Sequence, residues 1–343
     1  MNGQIAVLGA GAWGTVLSKM LAENGYSVRL WSYEKEVAQQ INQEQHNHSF
    51  LPGVELPETI KAETDPLAAV ENADAILNVV IAKGLRALLD QLPLSVAQKP
   101  WLSATKGLEP ESGARISQIL LNTGKAQKEH LAVLSGPNLA SEIALGSPAT
   151  SVVGAESKQT ALYFQGLLMR SYFRVYINPD PIGVELGGAL KNIIAIAAGI
   201  CDGLQIGDNG KAALIARGLA EMTRLGVRLG AESETFSGLS GMGDLVATCA
   251  SHHSRNRWCG EQLGKGRTLE EIINSTKSIV EGVRTTQAVM ELSRKLYLEL
   301  PITSAVYGIL FEKQDPKQQV EQLMNRMARA ENASLAEKKW NQF

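Results

Sequence analysis

The chain has 343 residues, which at about 150 residues per domain suggests two domains. Hydrophobic residues make up 44% and charged residues 20%, a composition that excludes a disordered or collagen-like chain. The formal net charge is -2, so the overall charge gives no reason to expect binding to nucleic acid or to an anionic membrane.

The chain carries no clear signal for export or for a disulfide scaffold. Its N-terminus has no Lys or Arg before the first apolar stretch, and the apolar helical run 193–200 is far shorter than the roughly 20 residues of a membrane span. Cys201, Cys249 and Cys259 are odd in number and lack the CxxC spacing of a structural zinc site. We therefore expect a soluble cytoplasmic protein with reduced thiols, no transmembrane segment and no metal.

Strand-like and helix-like segments alternate through the first half of the chain. Apolar segments predict strands at 5–8, 28–31, 75–81, 101–104, 131–134 and 151–153, with helices at 12–24 and 34–42. The run 75–81 lacks period-2 alternation, as a strand covered on both faces does. This order predicts an α/β fold with a doubly wound, mostly parallel sheet.

The pattern changes near residues 178–181, where two prolines fall within three residues. Beyond them, helices are predicted at 183–201, 211–229, 244–250, 269–274, 283–296 and 302–311, and strand signals are scarce. We therefore predict an α/β domain at 1–180 and an all-helical domain at 181–343, which ends in a polar tail.

The segment from Gly9 to Gly14 fits G-x-G-x-x-G, follows a predicted strand and opens a predicted helix. Gly9 allows the tight turn, Gly11 lets the backbone approach a pyrophosphate, and Gly14 lets the helix pack closely on the strand. The helix N-terminus then presents N–H groups to the phosphates. A glycine-rich turn that serves packing alone is the alternative, but the flanking elements favour a dinucleotide.

A residue at the end of the second strand should contact the adenosine ribose of such a dinucleotide. An acidic residue there favours NAD, whereas a nearby Arg favours NADP. Ser32 holds the position expected for the acid, Glu34 follows two residues later, and no Arg follows. The choice between NAD and NADP stays open.

Lys191 and Asn192 interrupt a helical segment that is otherwise apolar nearly all round. Burial lowers the pKa of a lysine, which is one way to make it serve in proton transfer near neutral pH. The alternative is a lysine that extends along the helix to solvent. Gly187 and Gly188 favour a functional role, because they permit close approach of a ligand or of backbone.

The motifs GAGAWGT, ELGGALKN and GMGDL, in this order, resemble those of the NAD(P)-dependent sn-glycerol-3-phosphate dehydrogenases. The shorter segments Thr105-Lys106-Gly107, Ser135-Gly136-Pro137, Ser254-Arg255-Asn256 and Val280-Glu281-Gly282 complete the series, so the resemblance spans about residues 4–310. It implies a Rossmann-type domain followed by a helical domain. It also implies hydride transfer between NAD(P)H and the C2 carbonyl of dihydroxyacetone phosphate, giving sn-glycerol 3-phosphate for glycerophospholipid synthesis.

The resemblance implies roles for individual residues. Lys191 is the expected acid/base, and Asp244 is expected to contact substrate and to hold the charged form of Lys191, although Asp244 could simply cap a helix. Cofactor contacts are implied at Gly9, Gly11, Ala12, Trp13, Gly14, Tyr33, Lys106, Ala140, Arg255, Ile279 and Glu281. Substrate contacts are implied at Lys106, Gly136, Asn138, Lys191, Asp244, Ser254, Arg255 and Asn256.

Arg255 and Asn256 suit a phosphate, because a guanidinium can bind one through two parallel hydrogen bonds. A solvated basic loop is the alternative, and Arg257 is expected to be peripheral. His252 and His253 are adjacent without a third ligand at a recognisable spacing, so they predict no metal site.

Two departures from the family pattern are visible. Tyr33 stands where bacterial members often have Arg, which weakens an expectation of NADP preference. Ile81-Ala82-Lys83 stands where the family usually has a Pro-Ser turn, and we expect Lys83 to face solvent.

Two other functions remain open at this point. One is a two-domain dehydrogenase that acts on a hydroxyacid or sugar acid, and the other is a dinucleotide-binding protein that has lost catalysis. The presence of Arg255 and Asn256 favours a phosphate substrate, and the presence of Lys191 and Asp244 favours catalysis. A homodimer is expected, since cyclic dimers are the commonest oligomers.

Overall fold

The computed structural model of the protein describes residues 3–276, 280–328, 330, 331, 336 and 339. An eight-stranded sheet occupies its first part. The strands are β1 (Gln4–Leu8), β2 (Ser27–Trp31), β5 (Ile60–Glu63), β6 (Ala75–Asn78), β7 (Trp101–Ser103), β8 (Leu131–Ser135), β9 (Ala149–Ala155) and β10 (Phe173–Asn178). A separate antiparallel pair consists of β3 (His46–Asn47) and β4 (Leu51–Glu55).

The spatial order of the sheet is β10-β9-β8-β7-β6-β1-β2-β5, and neighbouring strands are parallel except for β8 and β9. Alternate residues of β1 enter different cores, with Ile5 and Val7 in one, and Ala6 and Leu8 in the other. Helices cover both faces: α1 (Ala12–Glu23), α2 (Lys35–Glu44), α3 (Pro66–Val70), α4 (Ala82–Leu89), α5 (Ile116–Asn122), α6 (Ala140–Ala144) and α7 (Lys158–Leu168). The predicted mostly parallel, doubly wound α/β fold is confirmed.

The second part is helical and is built around α8 (Pro181–Gly203). Asp180 caps α8 by accepting a hydrogen bond from the Gly183 N–H at 2.8 Å, and residues 183–201 are buried. The helices that follow are α9 (Asp208–Arg228), α10 (Asp244–Ala250), α11 (Arg255–Gly264), α12 (Leu269–Asn274), α13 (Glu281–Leu296), α14 (Pro301–Phe311) and α15 (Pro316–Met324). A 3-10 turn at Ser233–Ser237 and a π-helical turn at Leu239–Gly243 precede α10.

Helix α8 is longer than the apolar run 193–200 recognised in the sequence. Within the described residues it is the one helix that is long and apolar enough to cross a membrane by length and composition, with 23 residues and a mean hydropathy of 1.5. Its apolar stretch is entirely buried by the rest of the protein. The core helix of a folded domain meets the same criterion, so this helix is weak evidence for a membrane span.

Several elements were not predicted. Strands β5 and β10, the β3–β4 pair, and helices α11 and α15 lie where no element was expected, and β9 runs antiparallel to β8. The strand predicted at 75–81 ends at Asn78, whose side chain accepts a hydrogen bond from the Val80 N–H and donates one to Thr105 Oγ1. The chain therefore leaves the sheet earlier than its apolar composition indicates.

The three cysteines lie within the described residues. Cys201, Cys249 and Cys259 are all free thiols and all buried, and burial raises the pKa of each to about 11 or 12. In the part of the chain that the structure describes, no group of three or more His, Cys, Asp and Glu side chains is placed to hold a metal ion.

Candidate active site

The glycine turn joins β1 to α1 and leaves an open space above the helix N-terminus. Gly9 has φ of 115°, a conformation that L side chains rarely adopt. A Cβ on Gly14 would overlap the carbonyl oxygen of Gly9, whereas a Cβ on Gly11 would meet nothing within 4 Å. Gly14 is thus required for packing, and Gly11 faces the space that a pyrophosphate would fill.

The first turn of α1 also fits a bound dinucleotide. Ala12 and Trp13 open the helix, and its N-cap, Gly11, has no side chain to bond the N–H groups there. The indole Nε1 of Trp13 is buried and has no hydrogen-bond partner among the described residues. A bound anion would satisfy the free N–H groups of this turn, so the turn suits the phosphates of NAD(P).

The two residues that directly follow β2, Ser32 and Tyr33, are uncharged. Ser32 is buried, and its hydroxyl donates to the carbonyl oxygen of Glu34 at 2.9 Å. Tyr33 is 81% exposed, which leaves its ring accessible to a cofactor. Arg29, on the same strand, pairs with Glu63 at 3.1 Å. Tyr33 can therefore contact a cofactor but adds no positive charge that would favour a 2′-phosphate.

The carboxylate of Asp244 lies between two lysines. Its Oδ1 accepts from Lys191 Nζ, and its Oδ2 accepts from Lys106 Nζ at 2.8 Å. Lys191 Nζ also donates to Thr248 Oγ1 at 2.6 Å, one helical turn beyond Asp244. Gly243 is the N-cap of α10, so the Asp244 carboxylate binds lysines rather than capping the helix.

Lys106 follows β7 and ties the sheet to α10. Besides Asp244, its ammonium contacts Gly136 O at 2.9 Å and Asn138 Oδ1. Burial lowers the pKa of Lys106 to about 8; the Asp244 carboxylate opposes this shift and the nearby Lys191 charge adds to it. Lys106 is therefore an interior cation that titrates close to physiological pH, not a surface-loop lysine.

Tight packing fixes the loop after β8 beside these lysines. Gly136 has φ of 136°, and a Cβ there would lie 2.9 Å from Ser151 Cα. Gly187 and Gly188 of α8 approach protein atoms: a Cβ on Gly187 would lie 2.6 Å from Ser240 O, and one on Gly188 would overlap Ser135 Oγ. The glycine pair therefore brings the end of β8 and the π-helical turn against the helix that carries Lys191.

The predicted basic loop is the first turn of α11. Ser254 caps this helix through its hydroxyl, which accepts from the Arg257 N–H at 3.2 Å, and Arg255 is exposed. The Asn256 side chain donates to Asn192 Oδ1 at 3.0 Å and accepts from the Gly282 N–H at 2.9 Å. A helix N-terminus, an exposed guanidinium and an oriented amide thus lie together, a combination suited to a phosphate.

Glu281 opens α13 and faces the same cluster of charges. Burial raises the pKa of this carboxyl, and the positive charges of Lys191, Lys106 and Arg255 oppose the rise. Ala140, another predicted cofactor contact, is the first residue of α6. Ile279, also a predicted cofactor contact, lies outside the described residues.

Two polar residues of the cluster were not assigned roles from the sequence. Thr248 contacts Lys191, and its spacing of four residues from Asp244 on a predicted helix was the available signal. Asn192 orients Asn256, and its position in an apolar segment had marked it as unusual. Both support residues that were assigned.

Known proteins resemble the chain over almost its whole length. Models of the N-terminus and the C-terminus of NAD-dependent glycerol-3-phosphate dehydrogenase match residues 4–161 and 180–321. The glycerol-3-phosphate dehydrogenase [NAD(P)+] of Bacillus pumilus (strain SAFR-032) is 48% identical over 334 residues, 97% of each chain. That of Shouchella clausii (strain KSM-K16) is 46% identical, over 97% of this chain and 98% of its own.

A solved structure shows the same similarity in three dimensions. The glycerol-3-phosphate dehydrogenase from Coxiella burnetii superposes with a TM-score of 0.89 at 40% sequence identity. The match covers 94% of this chain and 99% of the other. Both parts of the fold, the sheet and the helices, are therefore shared with that protein.

Proposed function

The chain belongs to the NAD-dependent glycerol-3-phosphate dehydrogenase family, and we propose that the residues around Lys191 carry its reaction. The protein is an NAD(P)-dependent oxidoreductase that acts on a CH–OH group. It interconverts dihydroxyacetone phosphate and sn-glycerol 3-phosphate, which is used in glycerophospholipid synthesis. The nicotinamide ring, when bound, supplies or accepts the hydride at C2.

The proposal rests on the hydrogen bonds that the two lysine ammonium groups donate. An ammonium has three N–H donors. Lys106 has three acceptors, in Gly136, Asn138 and Asp244. Lys191 has two within the described part of the chain, in Asp244 and Thr248. Lys191 therefore has one N–H without an acceptor in the described part of the chain, which supports Lys191 as the proton donor of the pair.

Lys191 can both stabilise and complete the reduction. As the hydride reaches C2, the electron pair of the C=O bond moves to the oxygen, where negative charge develops beside the ammonium. The oxygen takes a proton from Lys191 Nζ, and the amine left behind recovers one from solvent. In the oxidative direction, the neutral amine accepts the hydroxyl proton. Asp244 and Thr248 fix the orientation of the Lys191 ammonium through their hydrogen bonds.

The first turn of α11 is the proposed phosphate site. Arg255 is exposed and can form charge-assisted hydrogen bonds to phosphate oxygens. Asn256 is held by Asn192, next to Lys191 in the chain, so the phosphate site and the proton donor have a fixed separation. The Ser254 hydroxyl accepts from the Arg257 N–H and keeps its own proton for a phosphate oxygen.

The remaining assignments follow the two parts of the chain. Residues 1–180 would bind the dinucleotide through the glycine turn, Tyr33, Lys106 and Ala140. Arg255 and Glu281 of the helical part would add two further contacts to it. Residues 181–343 would supply most of the substrate site. A cytoplasmic location is supported by buried free thiols, and a homodimer by the prevalence of cyclic dimers.

The test is oxidation of NADH or NADPH by the purified protein with dihydroxyacetone phosphate as substrate. Turnover with this substrate, and much less with a panel of 2-oxo acids and sugar acids, is the expected result. Faster turnover with a panel member would favour the hydroxyacid alternative. Cofactor binding without turnover of any substrate would favour the non-catalytic binding protein.

A further inference from the structure

We infer that Arg257 is a positioning residue for the phosphate site, through an ion pair with Asp202 that fixes the start of α11 against α8. The inference goes beyond the proposed function but rests on it, because it assumes that Arg255 and Asn256 bind the substrate phosphate. The sequence alone indicated a peripheral role for Arg257.

Arg257 is buried, and acidic groups lie beside its guanidinium. Its side chain is 9% exposed, and Nε lies 2.7 Å from Asp202 Oδ2. Nη1 lies 3.5 Å from a Glu261 carboxylate oxygen. No acceptor among the described residues lies in line with the Nε–H bond, so the pair with Asp202 is held by charge. Asp202 is held in turn, since Lys211 Nζ lies 2.8 Å from each of its oxygens.

The two helices joined by this pair cross at a contact made of glycines. A Cβ on Gly199 of α8 would overlap the carbonyl oxygen of Arg257, and a Cβ on Gly260 of α11 would overlap that of Ile196. Gly203 and Gly264 approach the facing helix in the same way, one turn further along. The backbones therefore touch where α8 and α11 cross.

Cys259 and Leu263 of α11 pack beside this crossing in the same buried cluster as Ile196 and Ile200 of α8. An ion pair at the edge of the contact adds a directional tie that helps to fix the register. Arg257 and Asp202 hold that position, because they lie on different helices beside the glycine contact. Both side chains are partly or wholly buried, so the attraction is screened less than that of a surface pair.

The position of α11 determines the geometry of the site. Arg255 and Asn256 immediately precede Arg257, and Asn256 bonds to Asn192, beside Lys191. A shift of the first turn of α11 would change the distance from the phosphate site to the proton donor. Misplacement of a bound substrate by about 1 Å can reduce catalysis about 100-fold. Arg257 therefore acts on the substrate through the residues that touch it.

The test compares four variants with the wild type. Arg257→Met removes the charge and keeps an unbranched side chain, while Arg257→Lys keeps the charge. Arg255→Ala is the reference for direct loss of the phosphate contact. Glu221→Gln is the stability control, because the buried Glu221 carboxylate accepts from the Ile302 and Thr303 N–H groups at the start of α14, within the same helical part. The measurements are KM for dihydroxyacetone phosphate, kcat, NADH affinity by fluorescence titration, and melting temperature.

We expect Arg257→Met to raise KM for dihydroxyacetone phosphate about 10- to 100-fold and to weaken NADH binding by a clearly smaller factor, because Arg255 is also assigned to the cofactor. Arg257→Lys should recover part of the loss, and Glu221→Gln should lower the melting temperature without changing KM. If Arg257→Met does not fold, Arg257→Lys and Asp202→Asn take its place. Each should then raise KM for dihydroxyacetone phosphate by more than it weakens NADH binding.

The possible failures are distinguishable. A wild type without turnover would overturn the proposed function. An unchanged KM in Arg255→Ala would overturn the phosphate site and the inference with it. A raised KM in Arg255→Ala with a wild-type KM in Arg257→Met would overturn the inference alone, as would equal losses of substrate and NADH affinity in Arg257→Met.

Discussion

Lys106 and Lys191 share the carboxylate of Asp244, but their surroundings suit different tasks. The hydrogen bonds of Lys106 to Gly136, Asn138 and Asp244 connect the edge of the sheet to α10. Lys191 projects from the middle of α8, a helix that is buried along nearly its whole length. Because both charges are withdrawn from bulk water, each affects a nearby carbonyl oxygen more strongly than a surface lysine would.

Replacing Lys191 with Met should keep the fold and NADH affinity but remove most turnover. Methionine is also unbranched and forms helices well, yet it has no charge and no proton. General acid catalysis alone contributes about 10²–10⁴-fold in rate, and loss of charge stabilisation adds to this. The measurement is kcat at saturating NADH and dihydroxyacetone phosphate, with folding checked by circular dichroism.

Lys125→Met is the matched control for this variant. Lys125 is also buried, but its Nζ donates to Leu92 O, remote from the cluster around Asp244. We expect it to keep kcat near the wild-type value. A folded Lys191→Met protein within about tenfold of wild type would refute the assignment, since that difference is under about 1.4 kcal/mol of barrier.

The titration of Lys106 should set an alkaline limit on substrate use. Its pKa is lowered to about 8, so its positive charge is progressively lost above that pH. The value of kcat/KM for dihydroxyacetone phosphate should therefore fall above about pH 8. This fall is the alkaline limb of the pH profile. Arg stays protonated, so Lys106→Arg should move the alkaline limb to higher pH, whatever its effect on the absolute rate.

An exposed lysine provides the control for the pH profile. Lys83 lies at the start of α4 and is exposed, so Lys83→Arg should leave the alkaline limb unchanged. The measurement is kcat/KM between pH 6 and about 10 for all three proteins. An alkaline limb at the same pH in Lys106→Arg and in the wild type would exclude Lys106 as its source.

At the scale of elements, two glycines of the β1–α1 turn have different roles. Gly11 is assigned to cofactor binding, and Gly14 is needed for packing. Gly11→Val should abolish NADH binding with little loss of stability, because a Cβ at Gly11 meets no protein atom within 4 Å. Gly14→Ala should instead destabilise the protein, because its Cβ would overlap Gly9 O. NADH titration and thermal unfolding of both variants check this contrast. Unchanged NADH affinity in Gly11→Val would contradict the assignment of this turn.

The sequence predicted the elements that bury apolar residues in a regular pattern. Helix α8 and the central strands β1, β6 and β7 are of this kind. Helix α11 was missed because it packs on α8 largely through Gly260 and Gly264, which leave no apolar stripe. Thr248 was not assigned because its spacing of four residues from Asp244 on a predicted helix does not show that Lys191 reaches it.

Across the whole molecule, the site depends on contacts between distant segments. The Lys106–Asp244 ion pair joins residues 138 positions apart, and the Lys191–Asp244 pair joins residues 53 apart. Residue spacing in one sequence does not determine such pairs. Family motifs identified the participants, but the division of protons between the two lysines required their acceptors to be located in three dimensions.

The sheet and the helical part are also joined by a buried ion pair at the base of α8. Glu185 accepts from Arg115 Nη1 at 2.9 Å, from the Ser117 N–H at 2.9 Å and from Ser117 Oγ at 2.5 Å. The Glu185 side chain is 2% exposed, and that of Arg115 is 13% exposed. Both oxygens of the carboxylate thus bind the start of α5, on the sheet side of the molecule.

Removing this carboxylate should weaken the whole fold, because it leaves the Arg115 guanidinium buried without its anion. Glu185→Ala should lower the free energy of unfolding by about 3–5 kcal/mol. Glu156→Ala is the control, since Glu156 pairs with Lys128 at 2.8 Å on the surface, where side-chain exposures are 46% and 61%. An exposed pair contributes about 0–1 kcal/mol, so the control should be close to wild type. Urea denaturation of the three proteins measures the difference. Equal losses in the two variants would mean that the Glu185 pair contributes no more than a surface contact.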